Sequence, residues 1–294
     1  MHFSLFVPAD RAMGRLRSHA YIAVENQAVT ADLAGFSTFW LADPWTQPTN
    51  RLPTALGVIK QLTVVTERIN LGVLLRPPSS SLHRCLCDEL AHLHEIAGGR
   101  LQVALDLRNT SLAETKSGLD LLDRIAQALG FRSAYLAQRL RLLADDALTD
   151  LAGAKGVGLC LAAGVSIQAR AHWLARYRET RGMRPGWVAR FVSVAVKADS
   201  DGTAWPISSR LADHALVSSP DEAILSGPPN QLASLLTASP LADGVDELIC
   251  AFANVGQRLE LTLRGIELLG NALHPQPQAI PTYLRWPSGA AVRR

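Results

Sequence analysis

Short apolar runs alternate with longer segments of helical periodicity along most of the chain. Residues 2–7, 38–42, 69–75 and 101–107 are apolar and strand-like, and the stretches 21–34, 53–66 and 82–97 between them repeat apolar residues at helical spacing. Strand and helix in regular succession predict parallel strands joined by crossover helices. Gly98-Gly99-Arg100 ends the third helix, because Gly98 accepts the left-handed conformation of a helix stop. Two helical patterns follow strand four, at 118–130 and 133–151, as an elaborated crossover before an apolar strand at 157–163. The alternation then resumes with helix 167–181, strand 187–196, helix 203–216, a short strand 223–226, helix 229–238, strand 247–252 and helix 257–270. Eight strands with intervening helices close most economically as a (β/α)8 TIM barrel, although a doubly wound open sheet has the same local pattern. Residues 1–273 therefore read as one barrel domain, and 274–294, with Pro275, Pro277 and Pro281, as a Pro-rich C-terminal arm.

Composition narrows the class. The 294 residues are 48% hydrophobic and 19% charged, which suits a large buried core and excludes a disordered chain or a small disulfide scaffold. The net charge of +3 is spread along the sequence without a basic stripe, so no nucleic-acid partner is expected. Cys85, Cys87, Cys160 and Cys250 read as buried free thiols in a reducing compartment. No apolar run approaches the ~20 residues of a membrane span, and the first residues lack a basic leader, so a cytoplasmic protein without a membrane partner is expected.

The chain has no dinucleotide-binding glycine fingerprint, phosphate-binding P-loop, zinc-protease helix motif or serine nucleophile elbow. In a parallel barrel, chemistry collects where strands end. Strand two ends in Asp43-Pro44-Trp45, a carboxylate beside an aromatic plane; Asp43 suits a base or acceptor and Trp45 a pocket wall, against the plain alternative of a turn cap and a lid on the mouth. Strand three ends at Arg76, suited to an anionic group, before Ser79, Ser80 and Ser81, which suit helix capping. On strand four Asp106 and Arg108 share a side, as a structural ion pair or with Arg108 turned to a phosphate. Gly164-Val165-Ser166 precedes a helix, where free N–H groups and the hydroxyl suit either a phosphate or ordinary capping. His83, His92 and His94 share a helix with Asp88, but their spacing favours surface or capping roles over a metal site.

Five motifs in order resemble the bacterial luciferase-like family of flavin- and deazaflavin-dependent oxidoreductases. Ala34-Gly35-Phe36-Ser37-Thr38-Phe39-Trp40-Leu41-Ala42-Asp43 is similar to the family's strand-two motif, LGF-D-S-x-W-x-A-D/E. TERINLGVLL at 66–75 is similar to T-x-R-I-x-L-G, and LHEIAGGRL at 93–101 to LD-x-LSGGRF. Ser226-Gly227-Pro228-Pro229-Asn230-Gln231-Leu232 is similar to G-T-P-E-x-V, and Gly244-Val245-Asp246-Glu247-Leu248 to G-V-D-E.

The resemblance implies a (β/α)8 barrel, here with a shortened insertion after strand four, and reduced FMN or F420 acting on a small organic substrate, with specialised biosynthesis as one setting. It places the ring at the C-terminal mouth near Leu74 and Leu75, the phosphate near Arg108, Gly164 and Ser166, and Asp43, Trp45 and Arg76 toward the substrate. It also implies a homodimer or a heterodimer with a related barrel. This chain departs from the family at three points: Pro44 and Trp45 replace the usual histidines after strand two, His83 stands where a proline opens helix three, and Ala104-Leu105-Asp106-Leu107-Arg108 replaces a glycine-rich strand end. Two alternatives follow from those departures, a flavin-free barrel serving as a non-catalytic partner subunit and a cofactor-independent acid–base enzyme using Asp43 and His83.

Overall fold

The computed structural model describes residues 1–8, 17–42, 54–131, 133–197, 224–238, 242–252 and 259–274. Within them run β1 (His2–Pro8), α1 (Arg17–Leu33), β2 (Thr38–Ala42), α2 (Thr54–Val65), β3 (Asn70–Leu75), α3 (His83–Ile96), β4 (Leu101–Asp106), α4 (Leu112–Ala128), α5 (Ser133–Arg139), β5 (Leu140–Ala144), α6 (Asp146–Lys155), β6 (Gly158–Leu161), α7 (Ile167–Arg181), β7 (Val188–Val196), β8 (Leu225–Gly227), α8 (Pro229–Thr237), β9 (Glu247–Phe252) and α9 (Leu259–Leu273). All strand pairs are parallel, and eight strands close in the order β1-β2-β3-β4-β5-β6-β7-β9 and back to β1. The protein is a (β/α)8 TIM barrel. Among the described residues, no helix is long and apolar enough to cross a membrane.

The barrel has eight strands, but not the eight that the hydrophobic pattern predicts. The segment 223–226 overlaps β8 at Leu225 and Ser226, and β8 pairs with Val194–Val196 at the upper end of β7 and is not a stave of the closed ring. The missing stave is β5, inside the stretch expected to be the helix 133–151. Its Leu140-Arg141-Leu142 alternation suits a strand, yet Arg141, two residues after Arg139 at the end of α5, imitates a solvated face. Here that face points inward. The predicted helix 203–216 and the arm beyond His274 lie outside the described residues.

Strand alternation sorts the core into two shells. Leu5, Phe39, Leu71, Leu105, Leu142, Val194 and Leu248 face the helices, whereas Phe6, Trp40, Leu74, Leu143, Cys160, Phe191 and Ile249 fill the barrel. At the N-terminal end of the barrel the interior is polar. Glu247 accepts hydrogen bonds from Ser4 Oγ at 2.7 Å, Trp40 Nε1 at 3.2 Å, Trp187 Nε1 at 3.0 Å and Arg141 Nη2 at 2.6 Å. Arg141 also donates to Gln102 Oε1 at 2.7 Å, and its guanidinium carbon lies 4.8 Å from the Trp40 ring centroid. Glycine is required opposite that ring, since a Cβ at Gly72 would sit 2.3 Å from Trp40 Cδ2.

The adjoining turns are fastened by single side chains. Asp32 on α1 accepts the backbone N–H groups of Glu67, Arg68 and Ile69, and Arg100 donates to the carbonyls of Thr63, Ile69 and Ala97 and to Thr66 Oγ1. Gly98 takes φ +60°, the left-handed helix stop that its sequence position predicts.

Both charges of the floor pair are buried, with side-chain exposures of 0% for Arg141 and 1% for Glu247. Burial alone would push the Glu247 carboxyl up, but Arg141 together with the bonds from Ser4 and Trp40 outweighs it and holds the group below the usual carboxylate range. Arg141→Met therefore leaves an uncompensated buried carboxylate and is expected to cost about 3–5 kcal/mol in urea unfolding. Arg141→Met with Glu247→Leu should recover part of that loss; a double variant no more stable than the single one contradicts this account. Because the folded pKa is depressed, the contribution of Glu247 is complete above its unfolded value and is lost as pH falls through the folded one. Glu247→Gln should accordingly lose stability less steeply than wild type below about pH 4.

Candidate active site

All strands of the parallel barrel end on one face, so the loops that follow them surround a common mouth. Several inward positions carry small side chains, Ala104 midway along β4 and, nearer that face, Ala42 on β2, Ala163 after β6, Ala195 on β7 and Ala251 on β9, with Leu74 and Leu143 between them. Phe6, Trp40 and Phe191 also fill the interior, with the Phe6 and Phe191 rings edge to face at 5.1 Å. Ser193 shares the inward side of β7 with Phe191 and Ala195 and is buried. Ser193 and Ala195 are not among the residues predicted for the site, although the alternation in VARFVSVAV places both inward.

The end of β4 supplies the charge. Arg108 grips Asp106 with two bonds, Nε to Oδ1 at 3.0 Å and Nη2 to Oδ2 at 3.1 Å, and its backbone N–H donates to the same carboxylate at 3.0 Å. Asp106 is 3% exposed at its side chain and Arg108 15%, so the carboxylate is sealed while the arginine side chain keeps some exposure. Arg76 reaches across from the end of β3 and donates to the Arg108 carbonyl at 3.2 Å. The next residue, Asn109, is the one non-glycine at positive φ among the described residues, at +56°, a conformation that asparagine tolerates. Ser111 and Glu114 then cap α4 reciprocally, so the strand-four turn is fixed on both sides.

Ser166 caps α7, accepting the Ala169 N–H at 3.2 Å, and Gly164 lies in the turn before it. That bond uses the oxygen lone pair and leaves the hydroxyl proton to donate. Leu74 faces the barrel interior, whereas Leu75 packs in the outer shell, so its backbone alone borders the mouth. Asp43 and Trp45 lie outside the described residues.

Several other expectations change. Ser79 and Ser81 hydrogen-bond each other at 3.1 Å, and no serine side chain caps α3, whose N-cap position is Leu82. His83 is buried, its charged neighbours are Asp120 and Arg124 of α4, and burial holds its imidazole below the ordinary value. It stands at the first position of α3, on the side that packs against α4. No group of residues able to hold a metal occurs among the described residues. Cys85 is exposed, contrary to the expectation of buried thiols, while Cys87, Cys160 and Cys250 are buried. Burial pushes the Cys160 thiol inside the barrel up to about 12, leaving it protonated and without nucleophilic character at neutral pH.

The comparisons with known proteins agree with this architecture. The luciferase-like monooxygenase family model matches residues 1–138. The oxygenating constituent of 3,6-diketocamphane monooxygenase from Pseudomonas putida, solved with FMN, is 14% identical, with TM-score 0.65 over 94% of this chain and 98% of that one. A monooxygenase from Streptomyces bottropensis is 14% identical, with TM-score 0.67 over 94% of this chain and 99% of that one. The coenzyme F420-dependent tetrahydromethanopterin reductase from Methanopyrus kandleri is 15% identical, with TM-score 0.64 over 93% and 98%. No curated protein matches the chain by sequence. The family match thus covers the first 138 residues, and the described remainder of the chain completes the same (β/α)8 barrel.

Proposed function

We propose that the protein is an oxidoreductase that holds reduced FMN or F420 at the C-terminal mouth of its barrel and acts on a small organic molecule. The observation that carries this reading is the match of residues 1–138 to the luciferase-like monooxygenase family model; the small inward side chains of Ala42, Ala195 and Ala251 toward the strand ends suit a flat tricyclic ring there. When bound, such a cofactor supplies hydride or activates oxygen. The chain's part is to bind, orient and keep out water. The inward side chain of Leu74 and the backbone of Leu75 form a wall, while the partly exposed Arg108 side chain, the Ser166 hydroxyl and the backbone at Gly164 are the donors for a phosphate. Asp43 orients or deprotonates the substrate, Trp45 closes the pocket, and Arg76 meets an anionic substituent.

Arg108 sets the balance between two readings. Its two bonds to Asp106 occupy much of its donor capacity, which favours the second reading, a flavin-free barrel that serves as a non-catalytic subunit beside a second copy or a related barrel. Titration with FMN and F420, each oxidised and reduced, followed by fluorescence and calorimetry, separates them. Binding of one cofactor is expected, lost in Ala195→Trp, which fills the mouth. Arg108→Ala should weaken it roughly tenfold, the worth of one charge-assisted hydrogen bond. Asp106→Asn frees the guanidinium and should tighten binding if the protein stays folded. A folded wild-type protein that binds none of the four forms sinks the oxidoreductase reading and leaves the partner-subunit reading in place.

A further inference from the structure

A second concave site lies at the opposite end of the barrel, where strands begin. It is a cavity of about 260 Å³ between the last turns of α7 and the residues that enter β7 and β9, lined by Tyr177, Arg178, Arg181, Gly186, Val188 and Gly244 together with Val245 and Asp246. Two guanidiniums face it, and among the described residues neither has a carboxylate within ion-pair distance. Arg181 Nε is buried with no hydrogen-bond partner, an arrangement costly enough to call for a ligand. Arginines at a helix C-terminus commonly do no more than answer the helix dipole, but that role is met from solvent and requires no buried nitrogen.

The surroundings hold these arginines in place. A Cβ at Gly186 would lie 2.2 Å from Arg181 Nη1, and one at Gly244 would lie 2.7 Å from Arg178 Nη2, so glycine at each position makes room for a guanidinium. Arg181 also lies over the Tyr177 ring, 5.7 Å from its centroid. The polar groups between them are already engaged. Tyr177 donates to the Val157 carbonyl at 2.8 Å, and the single acid of the lining, Asp246, accepts the Val188 N–H at 2.8 Å. Two fixed cations against one committed carboxylate leave the cavity positive.

We propose that this cavity binds a small molecule through an oxyanion, a phosphate or carboxylate group, held by Arg178 and Arg181 at the end of the barrel remote from the mouth. The site is independent of any cofactor at the mouth. Trp187 stands between the lining residues Gly186 and Val188 and reports on it. The test titrates the full-length protein with inorganic phosphate and, separately, with succinate, at ionic strength held constant with sodium chloride. Trp187 fluorescence is followed, and arginine modification by phenylglyoxal is mapped by mass spectrometry. A saturable response is expected, with protection of Arg178 and Arg181, and it should weaken about tenfold or more in Arg178→Gln with Arg181→Gln and in Gly186→Ser. Response to phosphate alone assigns a phosphoryl ligand, and response to succinate alone a carboxylate. No saturable response in wild type overturns the proposal, as does a response retained in the folded arginine variant or protection that falls elsewhere.

Discussion

The barrel is organised around one buried ion pair. Arg141 on β5 and Glu247 on β9 meet inside the floor at 2.6 Å, joining strands that are 106 residues apart in sequence. Around them Ser4, Trp40, Gln102 and Trp187 satisfy one carboxylate and share one guanidinium. A charge in that position tolerates few alternatives, because any shift in strand register would leave it unpaired in a dry interior. The pair therefore specifies which strands face one another across the barrel more than it adds stability, and it converts a repetitive strand–helix pattern into one closed arrangement.

The same network explains what the sequence discloses. Trp40 belongs to the first of the family-like motifs and Glu247 to the last; Gly72 and Thr66 belong to the second, and Arg100 to the third. Each has a structural duty: Trp40 and Glu247 bond to each other, Gly72 accommodates the Trp40 ring, and Arg100 ties Thr66 to neighbouring carbonyls. The most readable residues thus encode the floor and its turns, so the fold is legible while the chemistry is not. Strand β5 escaped because Arg141 lies on the inside of a barrel, where periodicity alone predicts an apolar residue. The short β8 was counted as a stave because a three-residue strand carries no signal of where it pairs.

The candidate site was legible in part. Alternation placed Asp106 and Arg108 on one side of strand four, and the structure joins them by two side-chain bonds. It also separates Leu74 from Leu75, a distinction that follows from the period of two but is lost when a strand end is read as a patch. His83 follows strand three in sequence, yet its position alone does not say that it is buried at the start of α3 beside Asp120 and Arg124. The inward alanines are silent in sequence, since nothing in the order of residues says which alanine faces the barrel interior.

Strand β7 has one further consequence. It is bonded to β6 over three residue pairs, Val188 to Arg190, and its upper end turns to β8 instead, whereas the other seams of the closed ring run for four to six pairs. A cylinder with one short seam has a line of least resistance. Spontaneous opening of the wall will start between β6 and β7 and spread downward until it meets the floor, so the tube behaves mechanically as a cup with a slit rim and a riveted base.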